Sequence, residues 1–427
     1  MNPSTPPPPA APGRLPRTVL WFGVVSLLTD AAGELIYPLL PLFLITVVGA
    51  KLSFIGVIEG IAEATASLFK LVSGRISDRI RHRKRLVLFG YGLASAARPL
   101  VALAHSAGVV LAVRFVDRLG KGVRGSPRDA MVAEATPPGL RGAAYGYHRA
   151  MDNAGAVLGP LCGFALLRFG HLPLRTIFAL AAIPGALAVL ALLVGVVEVP
   201  RPTPAAPSLA ALHNKEAGWQ QRAGLPRALL AYLGCVALFT LGNSADAFLL
   251  VRAAQVLHPG VALGPALLAD AEVLLLWTAH NAVKAALSTY GGRLSDRHGR
   301  RRLIGAGWLL YAAVYLGFAF VDGRAGLWAL FALYGVYYAL CEGPERALVA
   351  ELAGEGQRGT AFGWFHAVVG LCALPASLGF GLIYSAAGAL WAFATSAGLA
   401  TLATALLFLI RPRPPAVPVD QAGAPRS

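Results

Sequence analysis

The sequence predicts an all-α membrane protein of twelve transmembrane helices arranged as two six-helix pseudo-repeats, and three observations carry that prediction. First, 56% of the 427 residues are hydrophobic and 14% charged, with a mean hydropathy of +0.62. A soluble domain needs more polar surface than this to cover its core. Second, apolar runs long enough to cross a roughly 30 Å hydrocarbon core recur near 18 to 46, 53 to 73, 85 to 104, 107 to 134, 142 to 167, 174 to 197, 227 to 254, 265 to 290, 303 to 321, 326 to 351, 359 to 386 and 389 to 410. Third, Gly74-Arg75-Ile76-Ser77-Asp78-Arg79 returns as Gly292-Arg293-Leu294-Ser295-Asp296-Arg297, 218 positions later. Pro127, Glu134, Arg141, Gly142 and Gly146 return as Pro344, Glu351, Arg358, Gly359 and Gly363 at an offset of 217, and Asp30 as Asp246 at 216. A near-constant offset implies one unit duplicated in tandem.

Taken in chain order, residues 1–17 are Pro-rich with no apolar stretch before Val19, so they read as a disordered cytoplasmic tail and not a cleaved signal. Residues 18–197 form the first six-span bundle and 227–410 the second. The linker at 198–226 contains Ser208 to Ala223, which reads either as a surface helix on the membrane or as a mobile tether. Residues 411–427 form a second disordered cytoplasmic tail. The net charge of +16 is concentrated in two connections, Arg75 to Arg85 and Arg293 to Arg302, whereas connections such as 105–107 and 258–264 carry almost none. By the positive-inside rule the basic connections, the linker and both termini are cytoplasmic. This placement gives a multi-pass protein of the plasma membrane, the inner membrane in a bacterium, and excludes nucleic acid as the reason for the charge. Cys162, Cys235, Cys341 and Cys372 all fall inside spans without paired spacing, so free, buried thiols are expected, with no disulfide and no metal site.

Ionisable residues near the middle of a span face the bundle interior or water and are functional candidates by default. Span 1 carries Asp30 and Glu34 one turn apart, span 2 Glu59 and Glu63, span 5 Asp152, span 7 Asp246 and span 10 Glu342. Span 4 is charged throughout: Arg114, Asp117, Arg118, Lys121, Arg124, Arg128 and Asp129. Asp30 lies about 18 Å along its helix at about 1.5 Å per residue. Its carboxylate is expected either to bind a proton or to find an arginine across the cavity, with Arg118 the first candidate, whereas replacing Asp129, near the cytoplasmic end of span 4, is expected to do little to coupling. In span 5, Gly155, Gly159 and Gly163 recur every four residues and line one face, which permits close helix contact, and Pro160 bends the span.

The twelve spans and the Gly-x-x-x-Asp-Arg motif after spans 2 and 8 resemble the major facilitator superfamily over about 390 residues. The second copy keeps the family's later glycine as Gly299, whereas the first has Arg81 there. The resemblance implies secondary transport with a substrate site between parallel repeats near the midplane, and a gating role for Gly74, Asp78, Arg79, Gly292, Asp296 and Arg297. Asp78 would dock on the start of span 11, at Gly359 and Thr360, with the first copy of the motif mattering more than the second. Gly146, Gly155, Gly159, Pro160 and Gly163 resemble the antiporter motif of exporters in the superfamily. Spans 1, 4, 7 and 10 line the cavity in the family, which implies that Asp30, Arg118, Asp246 and Glu342 face it; with the other ionisable residues within spans, Glu34, Glu63, Arg114, Asp117 and Asp152, they make up the candidate substrate and proton-coupling set. Arg114 and Arg118 remain alternatives for the family's span 4 arginine.

These readings predict proton-coupled efflux of a small molecule by alternating access, the chain acting as a monomer in the bilayer with no cofactor. One alternative is import or exchange of an anionic metabolite, suggested by the span 4 arginines; another is a transport-dead receptor on the same fold. An enzyme is not expected. His148 and Asp152 stand one turn apart, but no nucleophile elbow, phosphate loop or metal pattern accompanies them.

Overall fold

The computed structural model describes residues 14–40, 43–44, 47–49, 52–198, 225–261, 271–354 and 356–409, with backbone alone at 38, 52–64, 271 and 274. Residues 1–13 of the first tail, the second tail, the expected surface helix or tether from Ser208 to Ala223 and the side chains of Glu59 and Glu63 therefore lie outside the described residues.

Twelve helical segments follow one another among the described residues. In the first half they are α1 (Arg17–Glu34), α2 (Leu52–Arg79), α3 (Arg83–Ala97, tightening to a 3₁₀ turn over Arg98–Leu103), α4 (Ala107–Ala135), α5 (Arg141–Arg168) and α6 (Leu174–Gly195). In the second they are α7 (Arg227–Leu257), α8 (Ala271–His298), α9 (Arg300–Phe320), α10 (Arg324–Leu352), α11 (Arg358–Ala387) and α12 (Ala389–Leu409). Eight of the described segments are long and apolar enough to cross a membrane. α1 and α4 fall outside that group because ionisable side chains interrupt their hydropathy, the chemistry that made them candidates for function.

Three features differ from the sequence expectation. Span 1 is not one helix to residue 46: α1 ends at Glu34, and a 3₁₀ turn follows at Tyr37–Leu39, where Pro38 cannot donate a backbone bond. α7 breaks after Gly242 and resumes at Ala247, which puts Asp246 at the break rather than inside a continuous helix. The repeated motif does not form a loop; Asp78 and Asp296 both belong to the last turns of helices, α2 and α8. The turns beyond them differ, as the Arg81 substitution implied. Gly299 alone joins α8 to α9 with φ +92°, a conformation that favours glycine, whereas three residues, 80 to 82, join α2 to α3. Counted from the motif arginines, three residues separate Arg79 from Arg83 and two separate Arg297 from Arg300, and this difference of one matches the drop in repeat offset from 218 to 217.

Small residues set the helix spacing. A Cβ on Gly155 would stand 2.5 Å from the Leu27 carbonyl oxygen and 3.1 Å from the Asp30 Cβ; one on Gly159 would stand 2.7 Å from the Glu34 Cβ. These glycines therefore seat α5 directly on α1. Gly146 faces elsewhere, onto Ser288 and Gly292 of α8, so the five motif positions serve two different contacts. Large apolar side chains such as Leu161, Phe164, Leu371, Leu374 and Leu382 are exposed, which is where lipid replaces water as solvent. Cys162 sits on that outer face beside Leu161 and is exposed, and Cys372 is half-buried; only Cys235 and Cys341 are buried thiols. A membrane span has an apolar outside, so lying within one does not imply burial in protein.

Candidate functional site

Two reciprocal contacts hold the motif-bearing ends of the halves together. The first four N–H groups of a helix lack intrahelical partners and attract anions. Asp78 at the end of α2 accepts from Gly359 N at 2.9 Å and Thr360 N at 2.6 Å, the start of α11. Its repeat counterpart Asp296, at the end of α8, accepts from Gly142 N at 2.9 Å and Ala143 N at 2.8 Å, the start of α5. Gly74 touches the Gly359 carbonyl and Gly292 the Gly142 carbonyl so closely that neither position has room for a Cβ. Each carboxylate also has a supporting arginine. Arg83 pairs with Asp78 and, at 2.7 Å, with Glu134; Arg300 lies 3.6 Å from Asp296 and pairs with Glu351. Arg79 is exposed, and Arg83 makes the contact with the motif carboxylate.

A further inter-half contact lies deeper. Asp129 of α4 is 1% exposed and is gripped by its neighbour Arg128 through Nε at 3.0 Å and Nη2 at 2.8 Å. From the second half, His366 Nε2 of α11 stands 2.9 Å from the other carboxylate oxygen, and Arg346 of α10 lies 3.9 Å away. α4 thus turns Asp129 toward the other half, where α10 and α11 meet it.

Toward the midplane the first half holds a lattice of charges. Arg98 donates from Nε to Asp117 at 2.9 Å and from Nη1 to the Thr29 carbonyl at 2.7 Å, while Arg114 approaches Asp117 at 3.5 Å. Arg114 also lies over the Tyr37 ring at 5.2 Å. Asp152 pairs with Arg149 at 2.8 Å, approaches His148 at 3.5 Å and accepts from Ser26 of α1. The charges acting on Asp30 come from Asp152, Lys121, Arg124 and Arg98, whereas Arg118 acts on Glu34 and Asp117. Arg118, the first candidate partner for Asp30, acts on Glu34, one turn further along α1.

The second half answers with aromatic rings. Asp246, at the α7 break, accepts from Tyr334 at 2.6 Å and from Tyr338 at 3.4 Å, both on α10. Lys284 of α8 places its ammonium 3.9 Å from the centre of the Tyr338 ring, and His280 stacks on Tyr334 with centroids 4.9 Å apart. Tyr311 and Tyr315 of α9 stack at 4.1 Å beside them. Glu342 lies between the halves, acting on Asp246 on one side and on Arg149 and Arg346 on the other.

The structure thus gathers Asp30, Glu34, Arg114, Asp117, Arg118, Asp152, Asp246 and Glu342 around the interior, while the Glu63 side chain lies outside the described residues. Residues missed in the candidate set are Arg98, Lys121, Arg124, Arg149, Lys284, Arg346 and His366. Each is an ionisable side chain inside an otherwise apolar run, so the depth rule applied to Asp30 would have found them. The tyrosines carry no comparable signal, because tyrosine is ordinary in membrane helices. Among the described residues no group of three or more His, Cys, Asp or Glu side chains is placed to hold a metal ion.

The sequence profile described as Major Facilitator Superfamily matches residues 22–271 and 259–427. The chain is 34% identical over 375 residues to an uncharacterized MFS-type transporter, MJ1317, of Methanocaldococcus jannaschii, covering 87% of this chain and 89% of that one. It is 24% identical to the multidrug resistance protein MdtH of Aeromonas hydrophila, covering 87% and 89%. In fold it is similar to the human organic anion transporter MFSD10, with a TM-score of 0.69 at 20% identity over 92% of this chain and 99% of that one. It is also similar to the outward conformation of FucP, with a TM-score of 0.68 at 17% identity over 92% and 97%. Two six-helix repeats, matched docks between their motif-bearing ends and profile agreement along nearly the whole chain have one explanation: the protein belongs to the Major Facilitator Superfamily and is a membrane transporter.

Proposed function

We propose that the protein exports a small molecule in exchange for protons by alternating access, as a monomer in the plasma membrane with both termini in the cytoplasm. The observation that carries this reading is the contact between α5 and α1. The helix bearing Gly155, Gly159 and Pro160 packs on the backbone beside Asp30 and Glu34, and its own Asp152 meets Ser26 of α1. Motion along that glycine seam changes the surroundings of three carboxylates together. A carboxylate in low dielectric gains proton affinity when its cationic neighbours move away, so the seam links helix movement to proton uptake. The likeness to MdtH, named for multidrug resistance, supports export.

In this reading Asp78 and Asp296 latch the cytoplasmic side shut, and release of the four backbone bonds opens it. A second reading, uptake or exchange of an anionic metabolite, is favoured by the cations of α4 and by the likeness to an organic anion transporter. Everted membrane vesicles with an imposed proton gradient separate the two. Gradient-driven accumulation of candidate substrates inside the everted vesicles supports export, and accumulation only in right-side-out vesicles overturns it.

A further inference from the structure

His148 of α5 is 2% exposed and is engaged on one side only. Its Nδ1 stands 3.5 Å from Oδ2 of Asp152, one turn along the same helix, whereas Nε2 has no hydrogen-bond partner among the described residues. A buried ring nitrogen left unpaired is costly, so a position that serves packing alone favours an apolar ring. The repeat makes that choice: at the offset of 217, His148 and Asp152 return as Phe365 and Val369. The imidazole also lies between two levels of carboxylates. Toward the middle of the bundle, Asp152 accepts from Ser26 of α1, one turn before Asp30, and is the foremost charge acting on Asp30. Toward the motif-bearing ends, His148 follows the start of α5 at Arg141 by seven residues and Asp129 precedes the end of α4 at Ala135 by six. At about 1.5 Å per residue the two stand at nearly the same depth. The main charges acting on His148 are Asp152 and Arg149 of its own helix and Arg128 and Asp129 of α4.

We propose that His148 carries the coupling proton between Asp152 and the inter-half seam where Asp129 meets His366. This rests on the reading of the chain as a proton-coupled exporter. With the seam open, the O–H bond of protonated Asp152 breaks as Nδ1 of the neutral ring, protonated at Nε2, takes the proton. The resulting imidazolium then loses its Nε2 proton to water entering at the seam, and a half-turn of the ring restores the first tautomer. Imidazole suits this task because it takes a proton on one nitrogen and gives one from the other. The 3.5 Å gap to Asp152 is longer than a good hydrogen bond, and such contacts tighten in the working state. Arg149 supplies the drive. It pairs with Asp152 at 2.8 Å and is also drawn to Glu342 of α10. Once the halves part it keeps Asp152 alone, which favours the carboxylate and sends the proton to the ring.

The test reads proton movement without a substrate. The purified full chain in lipid nanodiscs receives a pH jump from a photolysed caged proton, and time-resolved infrared spectroscopy follows the C=O band of a protonated carboxyl. Loss of the band in Asp30→Asn or Asp152→Asn assigns it to the midplane. Two backgrounds are compared, the docked chain and a chain whose seam is released by Asp78→Asn with Asp296→Asn. In the released chain His148→Asn is expected to slow proton uptake on the order of a hundredfold, the effect of one positioned proton carrier. Imidazole in the buffer recovers part of that rate. In the docked chain, where protons reach the midplane from the opposite side, His148→Asn leaves the rate unchanged. An unchanged rate in the released chain overturns the proposal. Equal slowing in both chains overturns it as well, because a purely structural role acts in either background. The two readings fail separately: a midplane band whose rate ignores His148 defeats the relay alone, whereas absence of any midplane band defeats proton coupling and the relay with it.

Discussion

His366 Nε2 on α11 and Asp129 Oδ2 on α4 stand 2.9 Å apart, joining the two halves through a carboxylate that is 1% exposed. The bond lies inside the protein, not at its rim, so bulk salt screens it little.

The first prediction follows from that bond. Asp129→Asn removes the charge that holds His366 and Arg346 while keeping the side chain's shape. Losing a hydrogen bond to a buried charged group costs about 1.5–3 kcal/mol, so the inward-closed population should fall by about tenfold or more relative to the open one. Spin-label distances between the cytoplasmic ends of α4 and α11 measure this. An unchanged distance distribution, with unchanged transport, refutes the contact as a latch.

Asp78→Asn and Asp296→Asn are expected to impair transport to a similar extent, within about a factor of ten, because each loses two charge-assisted bonds of matched length. The sequence resemblance favoured the first copy. The two docks, 2.9 and 2.6 Å against 2.9 and 2.8 Å, are matched in geometry and give no structural ground for that preference. Vesicle flux at matched expression decides it, and a severe Asp78 defect beside a silent Asp296 variant restores the asymmetry.

Gly159→Val places branched carbons where the Cβ alone already comes within 2.7 Å of Glu34 and 2.8 Å of the Ala31 carbonyl. The variant should insert and fold but slow or uncouple transport as α1 and α5 separate. Gly234→Ala on α7 is the control, since nothing lies within 4 Å of its Cβ position. Equal proton-coupled flux in the two variants would remove the α5 seam from the coupling path.

Asp30→Asn should abolish gradient-driven transport and leave ligand binding measurable. Its charged surroundings are Asp152, Lys121, Arg124 and Arg98, so the most informative second variant is Arg98→Gln, which also frees Asp117. If Asp30→Asn keeps the normal rate and pH dependence, the coupling proton resides elsewhere, with Asp152 next to test.

Gly299→Ala puts a side chain at φ +92°. Strain of this kind costs about 1–3 kcal/mol, which thermal unfolding in detergent reads as a lowered midpoint. Because no heavy atom lies within 4 Å of the added carbon, a loss of stability there reports backbone conformation and not crowding.

The fold was legible because hydropathy and duplication act over long stretches of chain: twelve apolar runs and one repeated motif do not depend on any single contact. The dock of Asp78 on Gly359 and Thr360 was legible too, since a lone carboxylate and a glycine-led helix start complement each other chemically. The partner of Asp30 was not. Hydropathy gives the depth of Asp30 but not the turn of α4 that it meets, and it passes over the break after Glu34 because Leu35, Ile36, Leu39 and Leu40 keep the run apolar. The partners of Asp129 were not legible for a related reason. Depth along a helix is readable from residue number, but the direction a side chain faces depends on the neighbouring helices, and here α10 and α11 come from the far half of the sequence.

The crossed docks have a consequence for origin. α2 corresponds to α8 and α5 to α11, so each repeat carries both a plug, its motif aspartate, and a socket, its fifth helix start. A surface with both parts, arranged so that each meets the other's opposite, is the self-complementary patch of a two-fold dimer. A single six-helix unit bearing Asp78 and Gly142 could therefore have closed its own seam by pairing with an identical copy, before fusion freed the halves to diverge into a cationic face and an aromatic one.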